Sequence, residues 1–348
     1  MSDKLGGMIF AAKPVPGDRV AVVSPSGGLP EVFPAPYELG LQRLRSFGLE
    51  PVEYPTTKRL NATPAERAAD LHAAWSDPSI RAVISSIGGS DQITVLKHLD
   101  PEVFRSNPKP FFGYSDNTNL LNFLYSLGLP AFHGGSVMVQ FGRGGAMHPD
   151  SERSLRAALF ESGEFELTPA KGWTDRDRDW ADASFLETEP ELFPGAEWSW
   201  QGSGVVTGRL WGGCVEIIDW QLAANRWMLP VDQYSGVLFL ETSEDMPSDQ
   251  QVSWMLRNLG ERGLLERFEA VLWARPKAWE LDNQLSAEDG ARYVADQYAA
   301  VEGTLAEYNP SALLVTGIDF GHTDPQVVLP YGGTVSIDSS ARRITVTY

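Results

Sequence analysis

Pro108-Lys-Pro-Phe-Phe-Gly-Tyr-Ser-Asp-Asn-Thr-Asn-Leu-Leu-Asn-Phe-Leu124 sets a serine at the point where an apolar strand becomes a helix. Phe111 and Phe112 read as the end of a short buried strand. Asp116 or Asn117 can cap the helix that follows, whose apolar side holds Leu120, Leu121, Leu124 and Leu127 until Gly128 closes it. Ser115 then lies at the positive end of a helix dipole, beside free backbone N–H groups. An elbow of this kind exposes a nucleophilic hydroxyl and supplies a donor for an oxyanion. The same residues also read as a plain Ser-Asp-Asn helix cap, so the rest of the chain has to decide.

Working outward, the first 140 or so residues alternate strand and helix signals. Arg19–Ser24 is a strand ending in a Ser-Pro-Ser-Gly-Gly turn, and Pro36–Phe47 is a helix. Leu49–Tyr54 gives a second strand, Pro64–Trp75 a helix with Thr63 as N-cap, Ala82–Ile87 a strand ending in Gly88-Gly89, and Asp91–His98 a helix. This order predicts an α/β fold, with a parallel sheet covered by helices on both faces forming an amino domain over 1–150. Sites in such sheets form outside the carboxyl ends of the strands, where both glycine turns and Ser115 fall. The pattern breaks over 151–204, a Trp-, Pro- and Gly-rich stretch read as a linker and substrate loop. A second domain is expected over 205–348. Its predicted strands are Val205–Trp211, Gly236–Glu241, Ala270–Trp273, Ala312–Gly317, Gly333–Ile337 and Arg343–Thr347, with helices near Val215–Ala223, Ser248–Leu259 and Ala287–Val301.

The chain has 348 residues and a formal charge of -18, which argues against nucleic acid or an anionic membrane as partner. A single cysteine, Cys214, excludes an internal disulfide and a Cys-rich zinc site. No His-Glu-x-x-His or similar spacing occurs, so neither metal nor cofactor is expected. Met1–Lys13 has no apolar core of signal-peptide length, and no apolar run approaches the roughly 20 residues a bilayer needs, so a cytoplasmic protein is expected. Eleven tryptophans are many, and nine lie between Trp173 and Trp273. The central region therefore does more than connect two domains.

A serine nucleophile needs a base, and the base needs an orienting carboxylate. Of five histidines, His72 and His98 lie in predicted helices, His148 precedes a proline, and His133 follows a strand in Ala-Phe-His-Gly-Gly. His322 stands just past a strongly apolar strand and a glycine, a good place for a general base, although an ordinary loop histidine would look the same. Glu241 ends the apolar run Val237-Leu-Phe-Leu-Glu241, where it can orient a base or cap the next helix. The order Ser115…Glu241…His322 is that of α/β-hydrolases, yet Asn117 replaces the last glycine of a Gly-x-Ser-x-Gly elbow.

Eight ordered segments resemble the LD-carboxypeptidase/microcin C immunity family of serine peptidases. They are Pro16–Ser26, Arg67–Trp75, Ile87-Gly-Gly89, Gly113-Tyr-Ser-Asp116, Phe132-His-Gly134, Gly208-Arg-Leu-Trp-Gly-Gly213, Leu238-Phe-Leu-Glu241 and Gly321-His322. The resemblance implies a flavodoxin/Rossmann-like parallel-sheet amino domain joined to a smaller β-rich α/β carboxyl domain with the site between them, a Ser–Glu–His triad at Ser115, Glu241 and His322, and a homodimer. The backbone N–H groups of Gly89 and Asp116 are then the expected oxyanion donors. Ile87-Gly-Gly-Ser-Asp91 stands where murein-trimming members have Arg-Gly-Gly-Tyr-Gly, which resembles the microcin-immunity branch. So does the Trp-rich stretch Lys171–Asp182, where that branch stacks a tryptophan on a nucleobase. Trp180, with Trp173 in reserve, is the stacking candidate, and Ser90 and Asp91 are further substrate-binding candidates. Cys214 departs from the asparagine usual after Gly-Gly. The expected substrate is a peptidyl-aminoacyl nucleotide. A murein tetrapeptide is the alternative, and a non-catalytic nucleotide-conjugate binding protein is the reading from another class.

Overall fold

A computed structural model describes residues 7–348, so the first six residues of the Met1–Lys13 stretch lie outside the described residues. Val20–Val23, Ala82–Ile84 and Phe111–Phe112 are all buried, as strands covered on both faces must be. They form the middle of a parallel sheet in the order Glu50–Glu53, Arg19–Val23, Ile80–Ser85, Phe111–Gly113, Ala131–His133. Helices Pro34–Ser46, Pro64–Ser76 and Thr118–Ser126 carry the crossovers. Thr63 and Glu66 close a reciprocal capping box at the second of these. Phe112 and Phe132 sit opposite one another in register with stacked rings 4.6 Å apart. The sheet ends in a strand from the far end of the chain, Leu329–Tyr331, antiparallel to Ala131–His133.

The second sheet has eight strands, ordered Glu164–Leu167, Arg343–Thr347, Thr334–Asp338, Val205–Cys214, Gly236–Glu241, Phe268–Ala274, Leu313–Ile318, Ser199–Gln201. Its long strand changes partner midway. Val205–Arg209 pairs antiparallel with Thr334–Asp338, and Leu210–Cys214 pairs parallel with the start of a four-strand parallel block. Helices Val215–Ala224, Asp249–Glu261 and Ala287–Tyr308 link that block. Among the described residues, no helix is long and apolar enough to cross a membrane.

The stretch 151–204 holds more regular structure than its sequence suggests. Pro149–Phe160 is a helix, and Glu164–Leu167 and Ser199–Gln201 are edge strands of the second sheet. The helix escapes a hydrophobic-period reading because it packs partly through serines. Ser151 Oγ and Ser154 Oγ accept hydrogen bonds from the backbone N–H groups of Gln326 and Val328, at 2.9 and 2.8 Å.

The two sheets meet along the helix that follows Ser115. Asn122 Oδ1 accepts from Trp211 Nε1 at 3.0 Å, and Thr118 Oγ1 accepts from the backbone N–H of Cys214 at 3.1 Å. Asn122 Nδ2 donates to Gln221 Oε1 at 2.7 Å. Gly213, at φ 113°, permits this approach, since a Cβ there would lie 2.7 Å from Thr118 Oγ1. These buried polar contacts seat the carboxyl end of Val205–Cys214 beside the serine elbow.

Candidate active site

Ser115 follows strand Phe111–Gly113 and opens a short 3₁₀ turn, Ser115–Asn117, that runs into helix Thr118–Ser126. Its φ is +61°, a left-handed conformation that costs a serine about 1–3 kcal/mol and persists only where neighbours enforce it. The neighbours are the two side chains that the sequence offers as helix caps. Neither caps the helix. Asp116 Oδ2 accepts from the backbone N–H groups of Asp91 and Gln92, at 3.0 and 2.9 Å, and Oδ1 accepts from Asn119 Nδ2 at 2.9 Å. Asn117 Nδ2 donates to the carbonyls of Ile87 and Tyr114. Burial lifts the Asp116 carboxyl above the usual carboxylate range, against these donors. The elbow is thereby laced to the Gly88–Gln92 turn.

That turn lies directly on the serine. A Cβ on Gly88 would fall 2.9 Å from Ser115 Cβ, 3.0 Å from its Oγ and 3.6 Å from the backbone nitrogen of Asp116. Gly88→Ala should therefore displace either the nucleophile or the donor beside it. We expect a kcat loss of about 10²–10³, the scale of losing one oxyanion donor, with little change in Tm. A variant with near wild-type turnover would show that the turn tolerates the methyl group and does not shape the site.

Glu241 ends strand Gly236–Glu241 and is fully buried. His322 follows strand Leu313–Ile318 through Gly321, and its Nδ1 lies 2.5 Å from Glu241 Oε2. A carboxylate at that distance keeps the ring proton on Nδ1 and leaves Nε2 as the working nitrogen. Nε2 is buried and makes no hydrogen bond among the described residues, although Glu244 Oε2 stands 3.0 Å away, out of alignment. The Tyr114 ring, next to Ser115 in the chain, packs 5.0 Å from the imidazole.

Burial pushes the Glu241 carboxyl up to about 7, against the pull of His322. For His322, burial favours the neutral ring, but Glu241 and Glu244 outweigh it and hold the imidazole well above its ordinary value. A base must be neutral to accept a proton. The acid limb of kcat/KM is therefore expected above the ordinary imidazole range near 6.5, with activity rising as pH rises through it. Glu244→Gln removes one stabilising carboxylate and should move that limb to lower pH; a limb that stays put would mean that Glu244 does not act on the ring.

His133 is also buried, with its Nε2 3.1 Å from the Phe320 carbonyl, and burial lowers its pKa to about 3. It is a neutral packing group held between Phe239 and Phe320.

The model of the LD-carboxypeptidase N-terminal domain matches residues 20–134, and that of the C-terminal domain matches residues 207–337. The chain belongs to the LD-carboxypeptidase family. It is 25% identical over 346 residues to the microcin C7 self-immunity protein MccF of Escherichia coli, covering 97% of this chain and 96% of that one. It is likewise 25% identical over 337 residues to a probable murein peptide carboxypeptidase of Bacillus subtilis, covering 95% and 92%. Solved structures of MccF with aspartyl sulfamoyl adenosine and with glutamyl sulfamoyl guanosine superpose with TM-scores of 0.83 and 0.82 at 24% identity, the first covering 98% of both chains and the second 97% of this chain and 98% of that one. The fold is the two-domain α/β architecture of the family, with a parallel-sheet amino domain and a β-rich carboxyl domain.

The substrate-binding candidates are engaged with other parts of the chain. Trp180 docks edge-on against Phe33, at 5.7 Å, on the amino-domain side. Trp173 lies under the Arg275 guanidinium at 4.4 Å, and its Nε1 donates to the Pro194 carbonyl. Asp91 pairs with the buried Arg67, whose other nitrogen donates to the carbonyls of Pro25 and Ser26. Ser90 is exposed in the same turn. Sequence reasoning missed Glu244, three residues past Glu241, and Lys277, which follows strand Phe268–Ala274 and pairs with Asp177 and Glu280. Both lie beyond carboxyl ends of parallel strands, the signal that could have found them. It also missed Glu216, whose Oε1 accepts from the backbone N–H and the hydroxyl of Ser243, at 2.9 and 2.8 Å, fixing the turn between Glu241 and Glu244. The Cys214 thiol faces the other oxygen of Glu216 at 3.2 Å.

Proposed function

We propose that the chain is a metal-independent serine peptidase that hydrolyses the amide bond of peptidyl-aminoacyl nucleotides, conferring self-immunity or detoxification. Ser115 Oγ attacks the carbonyl carbon while His322 Nε2 takes its proton. The same proton then passes to the leaving nitrogen as the C–N bond breaks. A water molecule repeats the sequence on the acyl-serine, and Glu241 stabilises the imidazolium each time. Backbone N–H groups of Gly89 and Asp116 hold the oxyanion. The observation that carries this reading is the 2.5 Å contact from buried Glu241 to His322 Nδ1, with the ring of Tyr114, the residue before the left-handed Ser115, packed 5.0 Å from that imidazole.

In this reading residues 1–150 supply the nucleophile, 151–204 the substrate loop and 205–348 the glutamate and histidine. The protein works in the cytoplasm as a homodimer, which light scattering on the purified chain would test. Support for a nucleotide conjugate comes from MccF, whose solved complexes hold aminoacyl sulfamoyl nucleosides. A murein tetrapeptide is the second reading, favoured by the in-chain contacts of both loop tryptophans. Incubating the pure protein with an aminoacyl-sulfamoyl adenosine and with a murein tetrapeptide, then reading products by mass spectrometry, separates the two. Turnover of neither would reject both. EDTA should leave the rate unchanged.

If Trp180 leaves Phe33 to stack on a base, Trp180→Ala should weaken binding of nucleotide-bearing substrates by about 1–3 kcal/mol and spare the tetrapeptide. Equal effects on both would keep Trp180 as an anchor and turn the assignment toward murein.

A further inference from the structure

The mouth of the site carries more negative charge than the candidate triad needs. Glu244 is about half exposed, with 48% of its side-chain surface open, and its Oε2 lies 3.0 Å from His322 Nε2. That nitrogen belongs to a side chain only 7% exposed and makes no aligned hydrogen bond among the described residues. The working nitrogen of the proposed base thus has a half-exposed carboxylate directly beside it. The nearest cation offers little compensation. Lys277 interacts electrostatically with Glu244, but it is buried and already ion-paired with both Asp177 and Glu280. Asp177 also lies within electrostatic reach of Tyr114, next to the nucleophile. With the imidazole neutral, as a base must be, the cation within reach of Glu244 is Lys277, which it shares with Asp177 and Glu280.

We infer that Glu244 is a specificity-determining residue, selecting substrates that carry a protonated amine, and no free carboxylate, beside the scissile carbonyl. A carboxylate placed there would meet Glu244 at close range, and like charges so placed discriminate between substrates. An ammonium instead draws Glu244 off Nε2 and takes the place of the histidine as its counter-ion, freeing the base as the substrate arrives. The acidic aminoacyl groups in the related complexes are then poor partners for this chain. The inference rests on the proposed serine chemistry and deepens it by naming the charge of the group that is recognised.

Three fluorophosphonates of equal length, ending in a primary ammonium, a methyl group or a carboxylate, test this without a nucleotide. Ser115 Oγ bonds to phosphorus, fluoride leaves, and the serine proton passes to His322; mass spectrometry gives the rate. The ammonium probe should label Ser115 roughly tenfold or more faster than the carboxylate probe, a ratio that shrinks with added salt. Glu244→Gln should bring the ratio near one, and Glu244→Lys should invert it. A change in the pKa of His322 affects all three probes alike and cancels in the ratio. Equal rates in the wild-type protein, or a ratio untouched in Glu244→Gln, would overturn the inference and leave nucleotide-conjugate hydrolysis standing. No labelling of Ser115 by any probe would overturn the serine assignment together with the inference.

Discussion

Ser115→Ala is expected to lower kcat by about 10⁶ while leaving the fold intact. The size follows from how triads behave, since removing the nucleophile costs about as much as removing the whole unit. The fold should survive because the change removes one hydroxyl from a side chain that takes no part in either sheet junction. Asp116 and Asn117, which lace the elbow to the Gly88–Gln92 turn, are untouched. Alanine at φ +61° remains strained, so a small loss of Tm is expected alongside the loss of turnover. The check is single-turnover kinetics with thermal unfolding on the same preparation. Activity within tenfold of wild type would remove Ser115 from the chemistry, and a collapsed Tm would make the kinetic result uninformative about its role.

The parallel cores were legible because their strands are uninterrupted apolar runs that stop at polar residues. Gly236–Glu241 ends at the residue where the hydrophobic run ends, and Leu313–Ile318 stops just before Asp319. Glu241 thus read as ending one apolar strand and His322 as following another; Phe268–Ala274 runs between these two strands in the sheet. Contacts set by tertiary geometry were hidden. Nothing local tells that Leu329–Tyr331 returns to the amino sheet beside His133, or that Trp180 meets Phe33 from far along the chain. The Asp116 carboxylate looked like a cap because capping is the commonest local use of an acid there. Its partners, the N–H groups of Asp91 and Gln92, come from another crossover. Polar side chains that replace apolar ones inside a junction, such as Ser151 and Ser154, hid helix Pro149–Phe160 from a reading based on hydrophobic period.

His322→Ala should be nearly as damaging as Ser115→Ala, and the double variant little worse than either, because a base without a nucleophile has nothing to activate. Glu241→Gln should also be severe, by about 10⁴ if the tautomer argument of other triads holds. A glutamine amide can donate to Nδ1, which moves the ring proton to Nε2 and removes the lone pair that Ser115 needs. His133→Ala makes the opposite comparison. That ring is neutral, and its Nε2 is satisfied by the Phe320 carbonyl 3.1 Å away. Its loss leaves that buried carbonyl unpaired, at about 1–3 kcal/mol of stability, and opens space beside Phe239 and Phe320. Thermal unfolding should therefore report His133→Ala more strongly than kcat does, and His322→Ala the reverse. If His133→Ala proved the more damaging to kcat at a temperature where both variants are folded, the base would have to be reassigned. The 2.5 Å contact between Glu241 and His322 would then be a structural ion pair, holding the carboxyl end of one parallel strand to the loop after another.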